Sequence, residues 1–154
     1  MRLSSFSDYS LRVLMYLGIQ PDRLATIGEI AAAHQISENH LMKVVHQLGR
    51  GGYIETVRGK GGGMRLAREP QDIVLGDVLR QTEGDFAMAE CFADDSTCRI
   101  QAACQLHRVL DQALSAMFLV LDDHTLADLL QKPQEHWRAI NWREAAPDSN
   151  RVSP

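Results

Sequence analysis

The sequence predicts a mainly α-helical fold with one small β-hairpin, a winged helix-turn-helix domain followed by a long helix suited to joining two subunits. Three observations predict it. Two short helical patterns are joined only by the link Gln35-Ile36. Strand-like segments flank Gly59-Lys60-Gly61-Gly62-Gly63. Past residue 105, Leu106, Val109, Leu110, Ala113, Leu114, Met117 and Leu121 recur as one broad apolar helical stripe.

A chain of 154 residues holds one core and an appendage. Its patterns divide it into a winged helix-turn-helix domain over residues 1–70, a linker helix and cysteine loop over 71–105, dimerisation and C-terminal helices over 106–131, and a tail over 132–154. The N-terminal segment has no apolar leader pattern, and no later run is long and uncharged enough to cross a bilayer. A cytoplasmic location without membrane contact is the expectation. The net charge of −4 argues against a general polyanion binder, but the charge is unevenly placed. Residues 1–70 hold nine Lys/Arg against six Asp/Glu, whereas residues 71–154 hold seven against fourteen. Between 37 and 68, six basic residues meet only Glu38 and Glu55.

At the start of the chain Ser7 is placed to cap a helix with Asp8 in its first turn and Tyr9, Val13, Tyr16 and Leu17 on an apolar face, ending at Gly18. Asp8 there complements the positive end of the helix dipole. After the turn at Pro21-Asp22, Thr26-Ile27-Gly28-Glu29 has the form of a capping box opening an Ala-rich helix to about His34. Ser37 caps the next helix, whose Leu41, Val44, Val45 and Leu48 turn inward. Asn39, His40, Lys43 and Gln47 then face out and, with Ser37 at the helix start, are the candidate DNA contacts of a recognition helix. A solvated helix face is the plainer reading of the same residues.

Residues 53–58 and 64–68 read as paired strands. The tip between them carries more glycine than a tight turn requires. Gly59 and Gly61 permit positive φ and close backbone approach, while Arg58, Lys60 and Arg65 supply cations, so the hairpin reads as a basic wing entering a DNA groove. No GxxxxGK[ST] pattern is present, which argues against a nucleotide-phosphate loop. Pro70 ends the hairpin, and Ile73, Val74, Val78 and Leu79 predict a short helix leading through Thr82-Glu83-Gly84 into the cysteine loop.

All three cysteines, Cys91, Cys98 and Cys104, fall in one acidic loop with gaps of six and five residues. An odd set of thiols does not close into disulfides, so metal binding or redox chemistry is the expected use. One option is zinc held by the three cysteines and His107, although the gaps are wide for a zinc finger. An electron carrier or thiol enzyme lacks its signature, since there is no Cys-x-x-Cys pair. After the long helix, Thr125-Leu126-Ala127-Asp128 forms another capping box, opening a helix that Lys132-Pro133 ends. Beyond it periodicity is lost, predicting a loosely held tail despite Trp137 and Trp142.

Over roughly residues 1–131 the chain resembles the iron–sulfur winged-helix transcriptional repressors. The resemblance rests on Met1-Arg2-Leu3 with Ser7-Asp8-Tyr9, on the wing from Val57 to Gly63, on the three cysteines, and on Thr125-Leu126-Ala127-Asp128-Leu129. The Ser-Asp-Tyr opening, the Arg-Gly-Lys wing and Asn39-His40-Leu41-Met42-Lys43 look like the branch of the family that responds to nitric oxide. This resemblance implies a homodimer in which the long helix crosses its mate and each winged domain reads half of a palindromic double-stranded DNA operator. It implies an iron–sulfur cluster on Cys91, Cys98 and Cys104, of the 4Fe-4S type with 2Fe-2S as the other option, completed by Asp8 of the partner subunit. His107 competes for that fourth position, because a sister branch uses a histidine at the matching place. The implied function is a nitric-oxide-responsive repressor, not an enzyme, whose cluster controls operator binding and whose release expresses nitric-oxide-detoxification or denitrification genes. A regulator sensing cluster supply, or a zinc-stabilised winged-helix regulator, is the alternative.

Overall fold

The computed structural model describes residues 2–93 and 95–140, apart from the side chain of Ala102. Helices α1 (Ser5–Gly18), α2 (Ile27–His34) and α3 (Glu38–Arg50) precede a hairpin of β1 (Ile54–Val57) and β2 (Gly63–Leu66). Helices α4 (Leu75–Thr82), α5 (Gln105–Asp122), α6 (Leu126–Leu129) and α7 (Pro133–Ile140) follow, with the cysteine loop between α4 and α5. Asp94, expected as part of that loop's acidic character, and Trp142, expected in the tail, lie outside the described residues.

The cap of α1 is Ser4 rather than Ser7. The Ser4 hydroxyl accepts the Ser7 backbone N–H at 3.2 Å, and Ser7 sits one turn inside the helix with no exposed surface. There its hydroxyl lies 2.8 Å from Thr82 Oγ1, which in turn donates to the Val78 carbonyl at 2.9 Å. Ser4 also donates its backbone N–H to Glu83 Oε1 at 2.8 Å. A buried hydroxyl needs a partner, and only position 7 faces α4, so the outer serine is left to cap.

Helix α2 opens with the expected capping box. Thr26 Oγ1 accepts from Glu29 N at 3.2 Å, and Glu29 Oε2 accepts from Thr26 N at 2.7 Å. It ends at Gln35, whose φ of 56° is left-handed, a conformation that costs a residue with a Cβ about 1 kcal/mol. That strained residue makes the tight corner of the helix-turn-helix, and Ile36 N closes it on the Ala31 carbonyl at 3.0 Å. Ser37 then caps α3 through His40 N, as the sequence predicts.

The hairpin is antiparallel with Ile54 opposite Leu66 and Val57 opposite Gly63, shorter at both outer ends than the alternation suggests. It is anchored to the segment before α2, where Ala25 and Met64 exchange backbone hydrogen bonds of 2.9 and 2.8 Å. Gly63 makes that approach possible, because a Cβ there would lie 2.7 Å from the Ala25 carbonyl oxygen.

One core unites these elements. Val13, Leu14 and Leu17 of α1 pack with Ile30, Leu41, Val44, Leu48, Ile54 and Met64. Ile73, Val78 and Leu126 complete it, so residues 1–70 do not close their core alone. The chain returns after α5 through a bridge of Val74 with Thr125 and a 2.8 Å bond from Leu126 N to the Ile73 carbonyl. The tail expected from residue 132 onward is helical over Pro133–Ile140: Pro133 starts α7 rather than ending order, Trp137 lies against Tyr16 with ring centroids 6.1 Å apart, and Ile140 packs on the core. Proline is well suited to a first helical position, and that sense of its position overrides its role as a breaker.

Replacing Gly63 by Ala should destabilise the protein by about 1–3 kcal/mol, because backbone rather than a flexible side chain must yield. Replacing Gly49, whose added Cβ meets nothing within 4 Å on helix α3, should instead be neutral or stabilising by up to about 1 kcal/mol. Urea unfolding of the two variants beside the parent checks both; equal effects would refute the close approach at the wing.

Candidate functional site

The exposed face of α3 is set by its buried one. With Leu41, Val44, Val45 and Leu48 inward, Asn39 and Lys43 lie exposed as expected, and Ser37 is exposed at the helix start. His40 is exposed too, but its ring stands 6.3 Å from that of Tyr9, which ties it to α1. Gln47 is only half exposed. Met42, His46 and Arg50 are exposed and were not among the predicted contacts. They would have been found by taking the helix face opposite the centre of the apolar stripe, since Asn39, Met42, Lys43, His46 and Arg50 recur three, four and seven residues apart.

The wing presents Arg58, Gly59, Lys60 and Gly61 fully to solvent. Gly59 and Gly61 have φ of 103° and 77°, so the tip depends on residues without a Cβ. Arg65 is exposed but ion-paired with Glu55 on the opposing strand, which offsets its charge. Arg68 points back, donating to the carbonyls of Gly52 and Gly51 at 2.9 and 2.8 Å with its guanidinium 4.8 Å from the Tyr53 ring centre. The cations therefore divide into Arg58 and Lys60 at the tip, a compensated Arg65, and a structural Arg68.

Behind this surface, His34 closes α2 against α1. Its imidazole is held below the usual histidine range by burial first, then by Arg12 and His136, with Asp8 opposing. Its Nε2 is buried without a hydrogen-bond partner, and the ring meets Tyr16 edge-on at 6.0 Å.

The cysteine loop lies between short 3-10 turns at Glu90–Phe92 and Gln101–Ala103. Cys91, Cys98 and Cys104 are free thiols, each half-buried. Gln101 Nε2 donates to the Cys91 carbonyl at 3.0 Å, and Thr97 Oγ1 donates to Glu90 Oε1 at 2.7 Å, folding the loop on itself. His107 Nδ1 lies 3.4 Å from Cys91 Sγ, and its ring packs on Phe92 at 4.6 Å. Asp8 is paired with Arg12 at 3.0 Å along α1. Thus Cys91 and His107 come together, whereas Cys98, Cys104 and Asp8 do not join them, and no three-donor metal group is gathered among the described residues of one chain. The donor chemistry nonetheless fits iron: three free thiols on one irregular loop, with an imidazole at its edge.

The loop is joined to the winged domain through α4 and α5. Phe86 meets Phe118 edge-on at 4.7 Å, and Arg80 lies over Phe118 at 4.3 Å. Arg80 also holds Asp122 through two bonds of 2.7 Å. These ion-paired groups are exposed, so the pair contributes little stability by itself and chiefly sets the α4–α5 angle.

An exposed recognition helix beside a basic wing, built on a single helical core, defines a winged helix-turn-helix transcriptional regulator. A family model described as "Rrf2: Iron-dependent Transcriptional regulator" matches residues 3–132, and the chain belongs to this Rrf2 family. It is similar to the HTH-type transcriptional regulator NsrR of Bacillus subtilis, at 46% identity over 94% of this chain and 100% of that one. The NsrR of Geobacillus kaustophilus is 47% identical over 85% of this chain and 90% of its own length. Among solved structures, T. potens IscR superposes with a TM-score of 0.68 at 27% identity, covering 88% of this chain and 90% of that one. CymR of B. subtilis, titled the global cysteine regulator, gives 0.65 at 27% identity over 84% and 95% of the two chains. The chain is thus a DNA-binding regulator rather than an enzyme, and its iron-dependent family is consistent with an iron–sulfur cluster. No helix of the described residues is long and apolar enough to cross a membrane.

Two outcomes follow from this geometry. Arg58→Ala should weaken DNA binding and reduce the salt slope of log K by about one, whereas Glu55→Gln, which releases Arg65, should steepen it; fluorescence anisotropy across a salt series reads both. Stability should fall as pH drops from about 7.5 to about 5, because the unfolded chain protonates His34 at its ordinary pKa while the folded chain resists. His34→Gln should lose less stability than the parent over that window in urea unfolding, and parallel curves would refute a buried neutral imidazole.

Proposed function

We propose that this protein is a homodimeric, nitric-oxide-responsive transcriptional repressor whose operator binding is controlled by an iron–sulfur cluster on the cysteine loop. The observation that carries this reading is the placement of α1, which touches the recognition helix through Tyr9 and His40 and carries Asp8 in the preceding position. Cys91, Cys98 and Cys104 would hold the cluster, as 4Fe-4S, with Asp8 of the partner subunit as the oxygen donor. Bound there, it supplies iron that reacts with nitric oxide. A carboxylate among thiolates is the hardest donor of such a set and the most exchangeable. Asp8 already has an alternative partner in Arg12, so exchange between the two re-aims the first turns of α1 and, through Tyr9, the ring of His40. The same turns are tied to α4 through Ser7 and Thr82, and α4 to α5 through Arg80.

A dimer is supported by what α5 leaves uncovered. None of its residues is fully buried, and Leu106, Val109, Leu119 and Val120 are 61, 53, 71 and 59% exposed. A cleft of about 500 Å³ lined by Leu3, Leu79, Phe86, Leu114, Met117 and Leu121 extends this apolar surface toward the N-terminus. Two-fold pairing across it would set two α3 helices on successive major grooves, about 34–36 Å apart. Nitric oxide would release the operator and allow expression of nitric-oxide-detoxification or denitrification genes.

The 3.4 Å approach of His107 to Cys91 favours a second reading, in which His107 is the fourth donor of a site that senses cluster supply or binds zinc. Anaerobically purified protein, titrated with nitric oxide while absorbance and DNA binding are followed together, separates the readings. Brown protein that loses chromophore and operator binding together supports the proposal, and Cys98→Ala should then lack both. Colourless, zinc-loaded protein indifferent to nitric oxide would refute the sensor, and loss of the chromophore in His107→Ala with retention in Asp8→Ala would reassign the fourth ligand.

A further inference from the structure

We propose that Met42 reads thymine methyl groups in the major groove and is a specificity-determining residue of α3; this rests on the DNA-binding reading above. The core side of α3 is closed by Leu41, Val44, Val45 and Leu48, so Asn39, Met42, Lys43 and His46 form one outward stripe at intervals of three, four and seven residues. Met42 is the large apolar side chain in that stripe, and half of its surface, 50%, is exposed. Packing does not explain it there.

Base-edge chemistry does. In the major groove adenine and guanine offer N7 with N6 or O6, which suit Asn39 and Lys43, whereas the apolar feature of the groove is the C5 methyl of thymine. A flexible, unbranched thioether fits against such a methyl without demanding one exact backbone distance. Its surroundings favour DNA over a protein partner: Lys43 and Arg50 lie on the same helix and Arg58 and Lys60 on the wing, all exposed. One apolar side chain among cations is also far smaller than a protein-binding patch. Asn39, Lys43 and Met42 together then present a hydrogen-bonding pair, a cation and a methyl-seeking group to consecutive base edges.

The test begins by selecting bound duplexes from a random double-stranded library with anaerobically purified full chain. The consensus duplex is then synthesised with each thymine replaced in turn by deoxyuridine, which removes only the C5 methyl. At one or two thymines per half-site the parent should bind the deoxyuridine duplex about fourfold more weakly, the ratio one buried methyl provides. Met42→Ala should bind both duplexes alike, and Met42→Leu should keep the preference with an unchanged Tm. Equal binding of thymine and deoxyuridine duplexes by the parent at every position, or an undiminished preference in Met42→Ala, would overturn the proposal and leave the DNA-binding reading standing. Failure of the parent to enrich any duplex would overturn that reading, and the proposal with it.

Discussion

The arrangement depends on a line of hydroxyl groups buried between α1 and α4. The proton of Thr82 goes to the Val78 carbonyl, so Ser7 donates to Thr82, and Ser4 in turn lies 3.3 Å from Ser7. Each bond in isolation contributes about 1 kcal/mol, but all point one way, and breaking the line would strand a hydroxyl in the core. It fixes the register of α1 against α4. Because α1 also packs on α3, the wing and α6, a shift of α1 cannot stay local. The helix that carries Asp8 is therefore also the helix against which the recognition helix is set.

That constraint explains which features were legible in the residues. Capping boxes at Thr26-Glu29 and Thr125-Asp128 are written locally, because donor and acceptor lie three residues apart, and both form as read. The helix-turn-helix and the wing have equally local signals in helical periodicity and in glycine. The cap of α1 does not: Ser4, Ser5 and Ser7 are equivalent until Thr82, 75 residues later, selects one of them for burial. Likewise α7 depends on Tyr16 and the core surface, neither of which is visible from residues 133–140. On α3 the inward residues were read correctly, whereas the outward face was taken one flank too far, toward Gln47 and away from Met42 and His46. A polar side chain was assumed to mark the exposed face, and an apolar one to be hidden. The three cysteines were legible as a set, but their spacing does not say which of them meets His107.

The wing shows how charge alone would mislead. Arg58, Lys60, Arg65 and Arg68 read as one basic patch, yet Glu55 offsets Arg65 and the carbonyls of Gly51 and Gly52 hold Arg68. Only the tip cations remain for phosphate. Arg68, lying over Tyr53 and bonded to the end of α3, orients the hairpin relative to the recognition helix. The residue that positions the wing and the residues that would touch DNA are thus separate, and a change at one need not imitate a change at the other.

The cysteine loop differs from the rest in how little of it is held by the core. Its thiols are half-buried, its turns are short, and α5 beyond it has no fully buried residue. A single chain thus finishes its DNA-reading half and leaves its other half with apolar surface uncovered and metal donors apart. Such a division suits a regulator: the winged half must keep one shape to read bases, whereas the other half must have two arrangements of similar free energy for a signal to choose between them. The links between halves are correspondingly few, a buried hydroxyl line, one exposed arginine clamp and one aromatic pair. Few links of modest strength let the signalling half move without unfolding the reading half, provided that α1, which belongs to both, moves as a rigid rod.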